Sequence, residues 1–452
     1  MRARVVLGIF LAASWAGQAG EPVDLQAVTD IRYEGFHNSH VMDTIQHLTD
    51  EIGPRLTNSP QQREAAEWCR TQLEDWGLKD AALETWGEFG RGWSFDRCAV
   101  HLLKPHAIPL IALPRAWTPG TEGPVRGLCT RVTIKTEEDM EKYKGTLNGK
   151  IVLADEPRDP KLDTDPAFTR HSVDDLCALE EFKIPSESDA NRREEGLKAW
   201  KLGKKRGEFF RAEGVLAVIE LSSRDAGVVR VMGVSAYKAG EASGPTILTM
   251  AAEHYDRLVR YVDDEQEVEL EIDVHAQFHE EDLTAQNVVA EIPGHSKRGE
   301  VVMLGGHLDS WHGGSGATDN AAGVSVAMEA VRILKAIDAK PKRTIRIALW
   351  TGEEQGLLGS RGYVEKHFAY RPKDDPSEEE IPRFYREPKW PLTTRPEHKN
   401  LSAYFNLDNG SGKIRGIYCQ ENAAVQPIFD AWLAPFADLG ATTTTLLNTS
   451  ST

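Results

Sequence analysis

Three apolar runs in this chain stop on residues that ionise or bind metal, and this limits the fold more than any other feature. EVVMLGGH (300–307) ends on His307, with Asp309 two residues on. TIRIALWTGEE (344–354) ends on Glu353 and Glu354, and LSAYFNLDNG (401–410) reaches Asp408 before an Asn-Gly turn. Short apolar runs closed by glycine and polar residues read as buried strands. Between the first two, Thr318–Ile337 repeats Val324, Ala327, Met328, Val331 and Leu334 at helical steps, and Leu357–His367 reads as a short helix. Strands alternating with amphipathic helices imply an α/β fold with a mostly parallel central sheet flanked by helices. Ligands of such sheets bind beyond the carboxyl ends of the strands, where these polar residues lie.

The residues around the first strand end sharpen this reading. GGHLDSWHGGSGATDNAAG (305–323) holds two histidines, two aspartates and six glycines. Asp319 opens the following helix, where the helix dipole favours a carboxylate. Taken singly, each of these residues has an ordinary explanation: a helix cap, a surface charge, a structural histidine, a turn. Gathered beside His307, the five carboxylates of Asp309, Asp319, Glu353, Glu354 and Asp408 would repel one another unless cations neutralised them. Imidazole with carboxylates suits Zn²⁺, and Mn²⁺ or Co²⁺ could replace it. His312, in the same loop, reads as a loop or substrate-contact residue rather than a ligand.

Upstream, residues 37–78 look helical, broken by EIGPRLTNSP, and the text from Leu83 to Leu113 changes to short strands. GKIVLADEP (149–157) and GVLAVIELSS (214–223) are strand-length apolar runs on either side of a charged helical stretch, Asp189–Arg211. The domain expectation is therefore an N-terminal part of the main domain over 21–114, an insert over 115–275 and the remainder over 276–452. A polar, proline-containing insertion occupies 371–397.

Residues 1–20, MRARVVLGIFLAASWAGQAG, read as a signal peptide: Arg2 and Arg4, a short apolar run, then Gly17 and Ala19 as small residues for cleavage. That predicts an exported protein, secreted or periplasmic, with no membrane attachment afterwards. The net charge of −17 disfavours nucleic acid and anionic membrane as partners. The five cysteines show no CxxC spacing, and their odd number leaves at least one without an intramolecular partner. Asn400 and Asn448 begin glycosylation sequons.

The motifs GGHLDSW, GATDNAAGV, LWTGEEQGLLGS and NLDNGSG resemble the co-catalytic di-zinc exopeptidases, the family of aminopeptidase S and glutamate carboxypeptidase II. The N-terminal strings LTDEIGPRLTNS and WGEFGRGW resemble its carboxypeptidase Q branch. The order and spacing fit, with 12 residues from His307 to Asp319, 35 from Asp319 to Glu354 and 54 from Glu354 to Asp408. The resemblance implies a zinc-exopeptidase sandwich with an inserted, β-rich protease-associated domain, two Zn²⁺ ions and a peptide substrate. A second copy of the chain, in a homodimer, is the one macromolecular partner considered.

By the same resemblance, Asp319 bridges the two ions, His307 and Asp408 complete the first, Glu354 binds the second, and Glu353 is the general base. Asp309 hydrogen-bonds the other nitrogen of His307, the Asp319–Asn320 peptide is cis, and the glycines of 305–323 let backbone approach the metals. The family also takes a histidine near the C-terminus for the second ion. The last histidine here is His398, upstream of Asp408, so the resemblance leads us to expect a fragment of a longer enzyme. A non-catalytic receptor or scaffold relative is a rival reading, opposed by the retention of both glutamates. Another di-metal amidohydrolase or cyclase of the same fold shares these residues and is separated only by its substrates.

Overall fold

A computed structural model describes residues 22–159, 164, 166, 168–181, 188–242, 244–375, 377–378, 381–408 and 412–448. The expected signal segment, the Asn409-Gly410 turn and residues 449–452 lie outside the described residues. The chain divides into two compact units. The smaller gathers the described residues of Met1–Asp30, Thr169–Ile184 and Gly412–Ser450, and within it the strands Gly416–Tyr418 and Thr443–Thr445 pair in parallel. The larger unit holds the candidate site.

Its central sheet has five strands in the order Lys79–Glu88, Thr284–Ile292, Arg343–Trp350, Lys297–His307, Leu401–Asn406. The last three run parallel, and the first two are antiparallel to their neighbours. The sheet is thus mixed, not mostly parallel as expected. The reason lies in the connection: only residues 293–296 join Thr284–Ile292 to Lys297–His307. So short a link reverses the chain, whereas a parallel return needs a crossover of a dozen or more residues. Arg343–Trp350 then inserts between these two strands and pairs with both.

Both faces of the sheet are covered, and the alternation of side chains shows how. Val288, Ala290, Ile347 and Leu349 point to one face, where the helices Pro60–Asp75 and Ala322–Ala336 bring Ala65, Cys69, Leu73, Val324, Met328 and Val331. Val289, Ala348 and Trp350 point to the other, against Tyr363 and Phe368 at the helix Leu358–His367. Each fully buried aliphatic side chain in such a core contributes about 1.5–3 kcal/mol. Ser59 starts Pro60–Asp75 by accepting the Gln62 N–H, with Pro60 in the first turn, where its missing N–H costs nothing.

A second sheet of eight strands fills the chain between the first two strands of the central sheet. It takes in Gly92–Lys104 and Glu269–His279, paired along nearly their whole lengths, and so extends beyond the 115–275 expected for the insert. Asp96 and Arg97, at an irregularity in that pairing, interrupt the apolar alternation of Gly92–Lys104 and disguise its length. Leu270, Ile272, Val274, Ile151, Ile219, Leu248 and Tyr255 form its core. Among the described residues no helix is long and apolar enough to cross a membrane.

Candidate metal centre

The parallel strands end level with one another. His307 stands opposite Trp350 and Gly305 opposite Asn406, so Asp309, Glu353, Glu354 and Asp408 all emerge at one edge. The turn Gly316–Ala321 delivers Asp319 to the same place, with its peptide to Asn320 in the cis form, as expected. Asn320 then ties two of these elements together. Its Nδ2 donates to the Leu407 carbonyl at 2.8 Å, and its Oδ1 accepts the Gly323 N–H at 3.1 Å.

His307 is fully buried, and its Nδ1–H donates to the backbone carbonyl of Asp309 at 3.0 Å. That leaves Nε2 facing Asp319 Oδ1 at 3.0 Å, Asp408 Oδ1 at 3.2 Å and Glu353 Oε2 at 4.0 Å. A neutral imidazole would present its lone pair to anionic oxygens there, an arrangement that requires a proton or a cation in between. Burial opposes the imidazolium, but contacts with Asp309, Asp319 and Asp408 outweigh it and push the His307 pKa far up. The donor spacings agree with a metal. Two ligands about 2.0–2.1 Å from a tetrahedral zinc lie about 3.3 Å apart.

Two groups gather within 4.8 Å: His307, Asp319 and Asp408, and His307, Glu353 and Glu354. Because Nε2 has one lone pair, His307 can serve only one ion. The first group offers three donors to one ion, and Glu354 stands beside it with Glu353 in the second group. In the metal-free protein burial pushes Glu353 up to about 7 and Glu354 to about 9, with neighbouring carboxylates adding to both. Crowded acids that resist ionisation are the electrostatic counterpart of a cation site.

Asp309 is placed differently from the expectation. Its carboxylate oxygen lies 3.7 Å from His307 Nδ1, too far for a hydrogen bond, and its backbone carbonyl takes that proton instead. The carboxylate, fully buried, accepts the Glu353 N–H at 3.2 Å, the Glu354 N–H at 3.2 Å and the Thr57 hydroxyl at 2.9 Å. His312 is buried and its Nε2–H donates to the Pro114 carbonyl at 2.8 Å, edge-on to Trp93 and Phe95, and burial lowers its pKa to about 4. It is a packed structural residue, not a surface contact. The glycines, too, make room for neighbouring strands: a Cβ on Gly305 would meet the Ala348 carbonyl, and one on Gly323 the Leu407 carbonyl.

Sequence reasoning assigned no role to Arg55 or Thr57. Arg55 is fully buried, and its guanidinium donates to the carbonyls of Leu48, Gly53, Leu308, Ser315 and Gly316 at 2.8–3.0 Å. It thereby holds both ends of the 308–316 loop. A lone arginine inside the otherwise apolar and turn-forming string EIGPRLTNS was the available signal.

The model of peptidase family M28 matches residues 287–449. Bovine carboxypeptidase Q is 26% identical over 345 residues, which are 76% of this chain and 65% of that protein. This chain therefore spans less than two thirds of that relative's length. Among solved structures, a peptidase M28 precursor from Shewanella amazonensis aligns with a TM-score of 0.59 and 22% identity, covering 93% of this chain and 81% of that one. BSAP, a zinc aminopeptidase from Bacillus subtilis, aligns with a TM-score of 0.52 and 18% identity, covering 90% and 79%.

Proposed function

We propose that the chain, whose residues 287–449 match the model of peptidase family M28, is an exported zinc exopeptidase that hydrolyses dipeptides or releases a terminal residue. One observation carries the reading: His307, Asp319 and Asp408, contributed by two strand ends and a helix start, converge with oxygens 3.0 and 3.2 Å from one imidazole nitrogen. The likeness to carboxypeptidase Q favours a dipeptidase-like specificity. The sheet of residues 92–279 is read as the protease-associated-like insert, and residues 1–20 as the export signal.

His307, Asp319 and Asp408 would hold one Zn²⁺, with Glu354 and Asp319 contributing to a second. Bound there, zinc would supply Lewis acidity toward the scissile carbonyl and lower the pKa of water. Glu353 accepts a proton from the attacking water and returns it to the nitrogen of the leaving amine, so it ends the cycle ionised. Asp309 keeps the Glu353–Glu354 backbone in place through both amides.

The test is zinc content and dipeptide hydrolysis of the intact chain and of Glu353→Gln. The variant should retain its zinc and lose turnover by at least about a hundredfold, the scale of general-base catalysis. A variant that still turns over at the parental rate would refute the assignment.

A further inference from the structure

We propose that Thr57 is a positioning residue for the general base, acting through Asp309. The inference rests on the metallopeptidase reading above. The Asp309 carboxylate has no solvent contact, and three donors orient it: the amides of Glu353 and Glu354 and the Thr57 hydroxyl. The two amides belong to the turn being positioned. Thr57 is the donor that comes from elsewhere, 252 residues away in sequence and on the fully buried segment anchored by Arg55. It is therefore the external reference against which the carboxylate, and through it the Glu353–Glu354 turn, is held.

The surroundings of Thr57 are rigid. The preceding Arg55 exchanges hydrogen bonds with Ser310, donating its N–H to Ser310 Oγ and accepting the Ser310 N–H. The Thr57 methyl group lies on the side of Gly352, the residue before Glu353, where a Cβ on that glycine would stand 3.7 Å from it. The hydroxyl therefore reaches the turn through Asp309, while the methyl lies alongside it. Valine would keep the methyl and remove the hydroxyl; serine would keep the hydroxyl and remove the methyl. Without the hydroxyl, Asp309 Oδ2 keeps only the longer of its two donor contacts, 3.2 Å against 2.9 Å, and the carboxylate is held only by the two amides of the turn that it positions.

The experiment compares the full chain with Thr57→Val and Thr57→Ser, using hydrogen exchange of the Glu353 and Glu354 amides and steady-state dipeptide hydrolysis with zinc. In Thr57→Val the two amides should exchange about tenfold faster while those of the strand Ala217–Leu221 stay unchanged, and kcat should fall about tenfold with KM within about twofold, the scale seen for residues supporting metal sites. Thr57→Ser should restore both. Unchanged exchange and kcat in Thr57→Val, an equal loss in Thr57→Ser, or a rise in exchange that includes Ala217–Leu221 would each overturn the proposal. Faster exchange confined to Glu353 and Glu354, in a protein whose parent shows no zinc-dependent hydrolysis, would support the anchoring by Thr57 and sink the peptidase reading instead.

Discussion

Gly323→Ala sets two effects of opposite sign against each other. Gly323 lies in the first turn of Ala322–Ala336, and helix propensity alone predicts that alanine stabilises the protein by about 1 kcal/mol. The structure predicts the reverse. A Cβ at Gly323 would sit 2.2 Å from the Leu407 carbonyl oxygen and 2.5 and 2.7 Å from the amide atoms of Asn320. Real contacts of this kind stay above 3.0 Å, so the helix and the Leu407 strand end must part by about 0.8 Å (3.0 − 2.2). Overpacking on this scale costs about 1–3 kcal/mol, which exceeds the propensity gain.

The displaced carbonyl belongs to the residue before Asp408, whose Oδ1 lies 3.2 Å from His307 Nε2. Metal sites tolerate only about 0.2 Å in ligand position, so the same shift should weaken zinc binding at least about tenfold. Thermal unfolding of the metal-free protein and chelator competition for zinc measure the two effects separately. A variant as stable as the parent or more so, with parental zinc affinity, would refute the packing argument at both points.

Three further outcomes follow from the same contacts. In the metal-free protein Glu354 is raised to about 9, chiefly by burial, and the contacts of His307 with its acidic neighbours overcome burial to raise it as well. Between pH 7 and 9 the native state therefore holds protons that the unfolded chain has released, so metal-free stability should fall as pH rises. Glu354→Gln should shrink that slope, and zinc binding at pH 7 should release protons detectable by calorimetry in buffers of different ionisation enthalpy. An Asn287→Leu variant leaves the Thr351 N–H and the Gly359 carbonyl without their buried partner, which should cost about 2–5 kcal/mol in urea unfolding. Arg55→Leu strands several buried carbonyls on the 308–316 loop and should cost about 3–5 kcal/mol, while a loss under 1 kcal/mol would mean the loop holds itself.

The strand ends were legible because each parallel strand carries an apolar stretch, even the half-exposed edge strand Leu401–Asn406, and ionisable residues follow it at the edge of the sheet. His307, Glu353 and Asp408 stood out by sharing that placement, not singly. The direction of Thr284–Ile292 follows from the short link 293–296, but its pairing with Arg343–Trp350 was not legible, since that partner is chosen by packing between segments far apart in the chain. Nor could spacing tell which oxygen of Asp309 meets His307: sequence places the residue, but the side-chain rotamer depends on Thr57 and the Glu353–Glu354 amides. His312 read as a loop or substrate-contact residue from its glycine-rich surroundings, yet aromatic neighbours from the second sheet pack edge-on against it and it is buried.

Glu88 and Thr284 stand opposite each other at the end of the pairing between Lys79–Glu88 and Thr284–Ile292. Nearly two hundred residues leave the sheet at one and return at the other. A coil of that length would resist being closed, though the entropy cost grows only logarithmically with length. Prior collapse of the intervening eight strands shortens the tether to a pair of neighbouring stubs. If those strands do collapse first, the interrupted hairpin has only the two stubs to join, and the carboxylate turn beside it forms on a chain whose interloper has already folded.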